Sequence, residues 1–159
     1  IAANPFNRIR ASVAKFSIDE LRDYLRVVGT QTLWPDHAME GTGNSRVHPV
    51  IELLSSVVWN KGMDPRRDSY SAFADNGGVS TGLGNYLRDR GVHRVFLFGI
   101  AFDVCLGHSA IDAYHEGFQT FVVTDLCPAI SNQGAADMVR RLVAAGVHLV
   151  TSDQIVGGS

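Results

Sequence analysis

Three segments of this chain repeat one pattern, in which a helix-like stretch closes on a glycine and a short apolar run follows at once. The glycines are Gly91, Gly117 and Gly146, and the runs that follow them reach residues 98, 123 and 150. Glycine suits the left-handed backbone position just past a helix end, so each one marks a junction from helix to strand. The pattern predicts successive βα units, and such units build a parallel sheet.

The apolar runs are almost continuous rather than alternating, which is typical of strands buried on both faces of a parallel sheet. An earlier run, residues 54–59, is predicted to be another strand of the same sheet. The predicted fold class is therefore α/β, with three layers in α/β/α order and a mainly parallel sheet.

Helical spacing of apolar residues predicts the helices between these strands. We expect one helix over residues 17–29, a second capped by Ser80, a third from about residue 103 to 115, and a fourth from about 131 to 145. The side chains expected to face inward from the last three are Leu83, Leu87, Leu106, Ala110, Ala113, Met138 and Leu142.

Length and composition exclude several classes of protein. With 159 residues, 45% of them apolar, the chain suits one packed domain over residues 1–159 but not two. A net charge of -2 gives no basic surface for nucleic acid or an acidic membrane, so a small-molecule partner is expected. No run approaches the ~20 apolar residues that span a bilayer. Two cysteines form no disulfide framework, which favours a reducing compartment, the cytoplasm.

Cys105 is the sharpest candidate for chemistry, because it follows a buried strand directly and lies at the predicted start of a helix. A helix N-terminus offers free N–H groups and partial positive charge, which lower a thiol pKa and can bind an oxyanion. The alternative is a small buried structural cysteine. Cys127, with no helix pattern directly after it, is assigned that structural role.

Three further residues have a chemical and an ordinary interpretation. Lys61 follows the predicted strand 54–59, where its charge could favour a thiolate, although most lysines are solvated. His37 could bind a metal, but one histidine without a ligand cluster is usually structural. Tyr70 is by default a loop anchor packed beneath the surface.

Taken together, five blocks in order resemble the nicotinamidase branch of the isochorismatase-like cysteine hydrolases, from about residue 31 to the C-terminus. The blocks are Leu33–His37 with Glu40–Thr42, then Lys61-Gly62, then Asp68–Phe73, then Gly99–Ala101 with Asp103 and Cys105, and then Asp112-Ala113 with Gly117-Phe118. The resemblance implies the isochorismatase-like hydrolase fold.

The resemblance also implies catalytic roles. Cys105 would be the nucleophile and Lys61 the lysine of an aspartate–lysine–cysteine triad. Ala101 would follow a cis peptide bond, Ile100–Ala101, and its N–H would form the oxyanion hole with that of Cys105.

A binding site is implied beside that triad. His37 would be one ligand of a divalent metal ion, most often zinc in this family, and Trp34 and Tyr70 would line the pocket for a pyridine ring. The implied activity is hydrolysis of nicotinamide to nicotinate and ammonia through a thioester, in NAD salvage. Whether the protein forms a homo-oligomer is left open.

Two alternatives stay open. One is a related cysteine amidase acting on another small amide, such as a carbamoyl compound; Ala38, Glu40 and Phe102 depart from the family pattern, so the substrate is less constrained than the chemistry. The other is a non-catalytic binding domain that keeps the fold without the triad aspartate.

The triad aspartate and a metal-binding Asp-x-His segment of the family have no match in residues 1–30. We expect both, with two central strands, to lie upstream of Ile1. Residues 1–159 alone should then be insoluble or molten and inactive, because a domain's net stability is only ~5–15 kcal/mol. A cooperative melt with nicotinamide turnover by the 159-residue chain would contradict this expectation.

Overall fold

The computed structural model describes residues 37–38, 41–64 and 67–156, and it divides into two compact units. The first unit contains the described residues up to Ser69 together with Ala74–Thr81. The second contains Tyr70–Phe73 and the described residues from Gly82 onward. The helix predicted over residues 17–29 lies outside the described residues.

The first unit has little regular structure. A 3₁₀ turn at Gly43–Ser45 precedes helix α1, Pro49–Leu54. Farther along, a single antiparallel bridge joins Ala74 to Ser80. The indole N–H of Trp59 donates to the carbonyl of Thr81 at 3.3 Å, which joins two loops of this unit.

The strand predicted over residues 54–59 is wrong. Leu54 ends α1, and residues 55–60 form no strand in the structure. The helix starts earlier than the apolar pattern shows, because Pro49 is its first residue and the His48 side chain accepts a hydrogen bond from Val50 N at 3.3 Å. The residues left after the helix include Val57 and Val58, both about half exposed.

The second unit is an α/β layer structure, and its sheet confirms the predicted parallel topology. The strands lie in the order β1-β2-β3, and each neighbouring pair is parallel. Helices flank the sheet, as the fold class requires. The bounds are α2 Leu83–Asp89, β1 Arg94–Leu97, a π-helical turn Phe102–Leu106 that runs into α3 Gly107–His115, β2 Gln119–Val123, a 3₁₀ turn Thr124–Leu126, α4 Asn132–Ala145, β3 His148–Val150 and α5 Ser152–Val156.

The three junction glycines have the backbone conformation that the sequence predicts. Their φ angles are 69° at Gly91, 91° at Gly117 and 95° at Gly146, all in the left-handed region that favours glycine. Gly146 ends α4, and its N–H donates to the carbonyl of Val143. The chain therefore turns from helix to strand at each of these points without Cβ strain.

The predicted helix faces pack into the core of the second unit. Leu106, Ala110, Met138 and Leu142 are buried together with Val122 of β2. Ala113 belongs to a second buried cluster with Phe73 and Phe118, against which Leu83 and Leu87 pack. One helix, α3, thus contributes to both clusters, and this places the π turn before it against the core.

The other face of the sheet is not buried as the sequence predicts. Phe96, Phe121 and His148 are partners in register on adjacent strands, and their rings stack with centroids 4.7 and 4.9 Å apart. Phe96 is nevertheless 43% exposed. Period two along β1 places Val95 and Leu97 inward and Phe96 outward, so the apolar run does not mean two buried faces here.

Two predicted helix starts have different outcomes. The helix predicted from about residue 131 is α4, and Ser131 caps it, because its hydroxyl accepts a hydrogen bond from Gly134 N at 3.0 Å. Ser80 does not cap α2, which instead begins after Gly82 in the left-handed conformation. Ser80 lies two residues before this cap position, in a backbone bridge with Ala74. No helix of the described residues has the length and apolar character needed to cross a membrane.

Candidate active site

Cys105 lies in the π-helical turn between β1 and α3, as predicted for a helix start, and is partly exposed. The carbonyl of Ala101 accepts hydrogen bonds from Val104 N at 3.1 Å and from Leu106 N at 3.0 Å. These two bonds hold the residues on either side of Cys105 to one acceptor. Single π turns are frequent at functional sites, and this one carries the predicted nucleophile.

Ala101 precedes this turn in an extended conformation, and the peptide bond between Ile100 and Ala101 is cis, as the resemblance implies. Within the described part of the chain, the Ala101 N–H donates to no protein acceptor. An N–H group at the start of a helix is suited to bind an oxyanion.

The loop after β2 is fastened to the same turn. Asp103 accepts hydrogen bonds through both carboxylate oxygens, from Ile130 N at 2.9 Å and from Ser131 N at 3.1 Å. The N–H of Phe102 donates to Pro128 O at 3.0 Å. The segment that carries Cys105 is therefore braced by the segment that leads into α4.

Tyr70 belongs to a short segment of the second unit, Tyr70–Phe73, that packs on α3. Its ring lies 5.3 Å from that of His108, which is three residues after Cys105. The Nδ1 of His108 lies 2.7 Å from Val104 O, and Arg141 lies 3.3 Å from its Nε2. Tyr70 thus contacts the first turn of α3, directly after the π turn that carries Cys105.

Ser109 is a buried residue at this site that the sequence analysis did not single out. Its hydroxyl donates to the carbonyl of Cys105 at 2.7 Å and accepts from Ala72 N at 2.9 Å. The i, i+4 spacing between Cys105 and Ser109 on a helix is the only sequence signal for the first of these bonds.

Cys127 has the structural role that the sequence predicts. It is 8% exposed, it belongs to the core cluster of the second unit, and its thiol donates to Val123 O at 2.9 Å. Burial raises the pKa of the Cys127 thiol above its ordinary value, and the charge of Asp125 acts in the same direction. A buried thiol held in the protonated form is a poor nucleophile.

Lys61 lies in the first unit, in the loop that follows α1. It is partly buried, and its Nζ donates to the carbonyl of Ser69 at 2.5 Å. Beside this contact, Asp68 is buried and accepts a hydrogen bond from Ser69 N at 2.8 Å. Lys61 is therefore held in one position within its unit and is not a solvated surface lysine.

His37 also lies in the first unit, on the surface, and is followed by a buried Ala38 with φ of 48°. The left-handed conformation is uncommon for alanine, so the chain turns sharply directly after the predicted ligand. Among the described residues no group of three or more His, Cys, Asp and Glu side chains could hold a metal ion. These residues alone do not fit a metal site. Trp34 lies outside the described residues.

The isochorismatase domain model matches residues 12–154 of the chain. The nicotinamidase of Acinetobacter baylyi is 37% identical over 131 residues, which cover 80% of this chain and 61% of that protein.

Solved structures agree with this match. A nicotinamidase/pyrazinamidase of Acinetobacter baumanii superimposes with a TM-score of 0.77 at 34% identity, covering 80% of this chain and 63% of that one. PnC1 from L. infantum, in complex with nicotinate, gives a TM-score of 0.73 at 36% identity, covering 76% and 61%.

The chain thus spans about three fifths of the length of these relatives. The family match covers most of this chain, and the similar structures share its parallel sheet flanked by helices. On this evidence, the chain belongs to the isochorismatase family.

Proposed function

We propose that the intact protein hydrolyses nicotinamide to nicotinate and ammonia, with Cys105 as the nucleophile. The observation that carries this proposal is the placement of Cys105, partly exposed in a braced helical turn, with the Ala101 N–H at the start of that turn. The similarity to nicotinamidases, one of them with nicotinate bound, supports the choice of substrate.

In the proposed reaction the Cys105 thiolate attacks the amide carbon of nicotinamide and forms a carbon–sulfur bond. The resulting oxyanion would accept hydrogen bonds from the N–H groups of Ala101 and Cys105, which stabilise its charge more than that of the starting carbonyl. The proton lost when the Cys105 thiol became a thiolate is transferred to the amide nitrogen, so that collapse of this intermediate expels ammonia and leaves a thioester. Water then adds to the thioester; one of its protons returns to the departing Cys105 sulfur and the other is lost as nicotinate forms.

Two side chains are proposed to assist. Lys61 would supply positive charge that favours the thiolate, since an opposite charge lowers the pKa of an ionisable group. Tyr70 would present its ring to the flat pyridine ring of the substrate, together with Trp34. We also propose that His37 is one ligand of a divalent metal, with zinc the expected ion; such an ion would supply Lewis-acid chemistry when bound.

The wider setting of the reaction is proposed on the same similarity. Nicotinate formed from nicotinamide would be used in NAD salvage, in the cytoplasm. A homo-oligomer is compatible with the proposal but is not required by it.

Release of ammonia from nicotinamide tests the function directly. We expect the intact protein to produce ammonia and nicotinate in equal amounts, measured by a coupled ammonia assay and by chromatography. An N-carbamoyl compound at the same concentration is the comparison substrate. Turnover of that compound with none of nicotinamide would instead show the related amidase that the sequence leaves open.

The role of His37 is tested by metal content. Replacing His37 by alanine should lower bound zinc and raise KM for nicotinamide, because loss of a direct ligand weakens metal binding more than a change in the surrounding shell. Elemental analysis of the purified protein gives the readout. The exposed His93, beside β1, provides the matched control, and His93→Ala should leave metal content unchanged. Equal zinc in His37→Ala and wild type would make His37 structural.

A further inference from the structure

The hydroxyl of Ser109 joins two segments that are far apart in sequence. It donates to the carbonyl of Cys105, four residues earlier, and accepts from the N–H of Ala72, 37 residues earlier. Ser109 is only 7% exposed, so water does not compete readily for either bond. A serine that bonds back to the fourth preceding carbonyl is common in helices, but here the same oxygen also holds a distant backbone group.

On one side, this bond fastens the middle of the segment Tyr70–Phe73. Tyr70 packs against His108, Phe73 packs against Phe118 with ring centroids 6.0 Å apart, and Phe73 N donates to Ser71 Oγ at 3.0 Å. The N–H of Ala72 points between these contacts to Ser109. Without the hydroxyl, this partly buried N–H would lose its acceptor, which is unfavourable.

On the other side, the bond restrains the peptide group that follows Cys105. The residues flanking Cys105 are both held to Ala101 O, and the carbonyl of Cys105 itself is held by Ser109. The backbone of the nucleophile is therefore fixed at both ends within one turn.

We propose that Ser109 is a positioning residue that couples the Tyr70 segment to Cys105. A change in the position of the Tyr70 ring is transmitted through Ala72 N and Ser109 Oγ to the backbone that orients the thiol. The inference rests on the proposed function, in which Tyr70 contacts the substrate ring and Cys105 attacks the amide. Positioning effects of this kind act on the rate, because small misplacements of a nucleophile are costly.

A double-mutant cycle in the intact protein measures this coupling. The variants are Ser109→Ala, Tyr70→Ala and the pair together, and kcat and KM are measured for nicotinamide. The matched control is Thr120→Val, which removes another buried hydroxyl of the same unit. That hydroxyl donates to Phe118 O at 3.0 Å and not to the turn that carries Cys105. Assays are run well below the melting temperature of every variant.

We expect Ser109→Ala to lower kcat about tenfold or more, as a misplaced nucleophile does. In the pair, the loss in kcat/KM should be clearly smaller than the product of the two single losses. Thr120→Val should change kcat less than twofold, and its effect should multiply with that of Tyr70→Ala. Ser109→Thr keeps the hydroxyl and should retain kcat near wild type.

A second readout does not require turnover of nicotinamide. The rate at which iodoacetamide alkylates Cys105, followed by mass spectrometry of the peptide, should fall in Ser109→Ala and show the same non-additivity with Tyr70→Ala. If the wild type releases no ammonia from nicotinamide, the proposed function is wrong, and the alkylation cycle still decides the coupling.

Three results would overturn the inference. The first is a double variant whose loss in kcat/KM and in alkylation rate equals the product of the losses in Ser109→Ala and Tyr70→Ala. Another is a kcat in Ser109→Ala no lower than that of Thr120→Val. The third is a Ser109→Thr protein that melts like wild type but has the kcat of Ser109→Ala.

Discussion

Replacing Cys105 by alanine should abolish ammonia release from nicotinamide while leaving the protein folded. Without the thiol no thioester can form, and loss of a nucleophile reduces kcat by roughly a thousandfold or more. The side chain is small and partly exposed, so its loss opens no large cavity. The coupled ammonia assay measures activity, and circular dichroism during heating measures the fold.

Cys127 supplies the matched control for this experiment. Cys127→Ala removes a buried thiol and its hydrogen bond to Val123 O, so it should lower the melting temperature but leave kcat near wild type. The two cysteine variants are thus expected to separate activity from stability. Substantial ammonia release by Cys105→Ala would remove Cys105 from the proposed mechanism.

The largest effect on stability is expected for Gly107→Ala, two residues after the nucleophile. A Cβ at this position would overlap the Sδ of Met138, which is buried on α4. Forcing an extra carbon into a packed core costs about 1–3 kcal/mol. Each kcal/mol corresponds to roughly 2–4 °C in melting temperature for a protein of this size.

Activity should fall in the same variant, because the displaced Met138 side chain packs in the core with Phe102 and Leu106 of the turn that carries Cys105. Gly43→Ala is the control, since a Cβ at Gly43 has no atom within 4 Å and its φ is not in the left-handed region. We expect Gly43→Ala to melt within about 1 °C of wild type, as surface substitutions usually do. Equal melting temperatures for the two glycine variants would show that the Met138 side chain can move aside without cost.

The resemblance of ordered motifs placed the chain in its family, and the family match confirms that interpretation. The position of Cys105 followed from the residues themselves, because the apolar run before it predicts a strand and the helical spacing after it predicts the start of a helix. The roles of Ala101 in the oxyanion hole and of Lys61 beside the thiol came from the resemblance. The Nζ of Lys61 donates to Ser69 O, and the spacing of residues in the sequence does not predict such a contact between loop residues.

Predictions from local sequence patterns were wrong at two places, residues 54–59 and Ser80. Residues 54–59 have the composition of a strand, but Pro49 and the His48 cap start a helix that extends through Leu54. Ser80 has the chemistry of a cap, but α2 begins only at Leu83, after Gly82 in the left-handed conformation. In both cases the residues at the start of a helix, not the apolar spacing, decided the local conformation.

What the sequence determined by itself was the order and direction of the elements in the second unit. Gly91, Gly117 and Gly146 each follow a helix in the left-handed conformation, which is strained for other residues, and the apolar runs after them must leave water. Those requirements are local, and a helix between successive strands favours the parallel arrangement that β1, β2 and β3 have.

Only the tertiary structure decided which face of each strand is buried and what supports Cys105. The stacked row of Phe96, Phe121 and His148 depends on strand register, and the bond from Ala72 N to Ser109 depends on a segment folding back across 37 residues. The apolar composition of a strand indicates how much of its surface must be buried, but not which other element covers that surface. Hydrogen bonds between groups far apart in the sequence form only when packing brings the two groups within about 3 Å, because the energy of a hydrogen bond falls steeply with distance and angle.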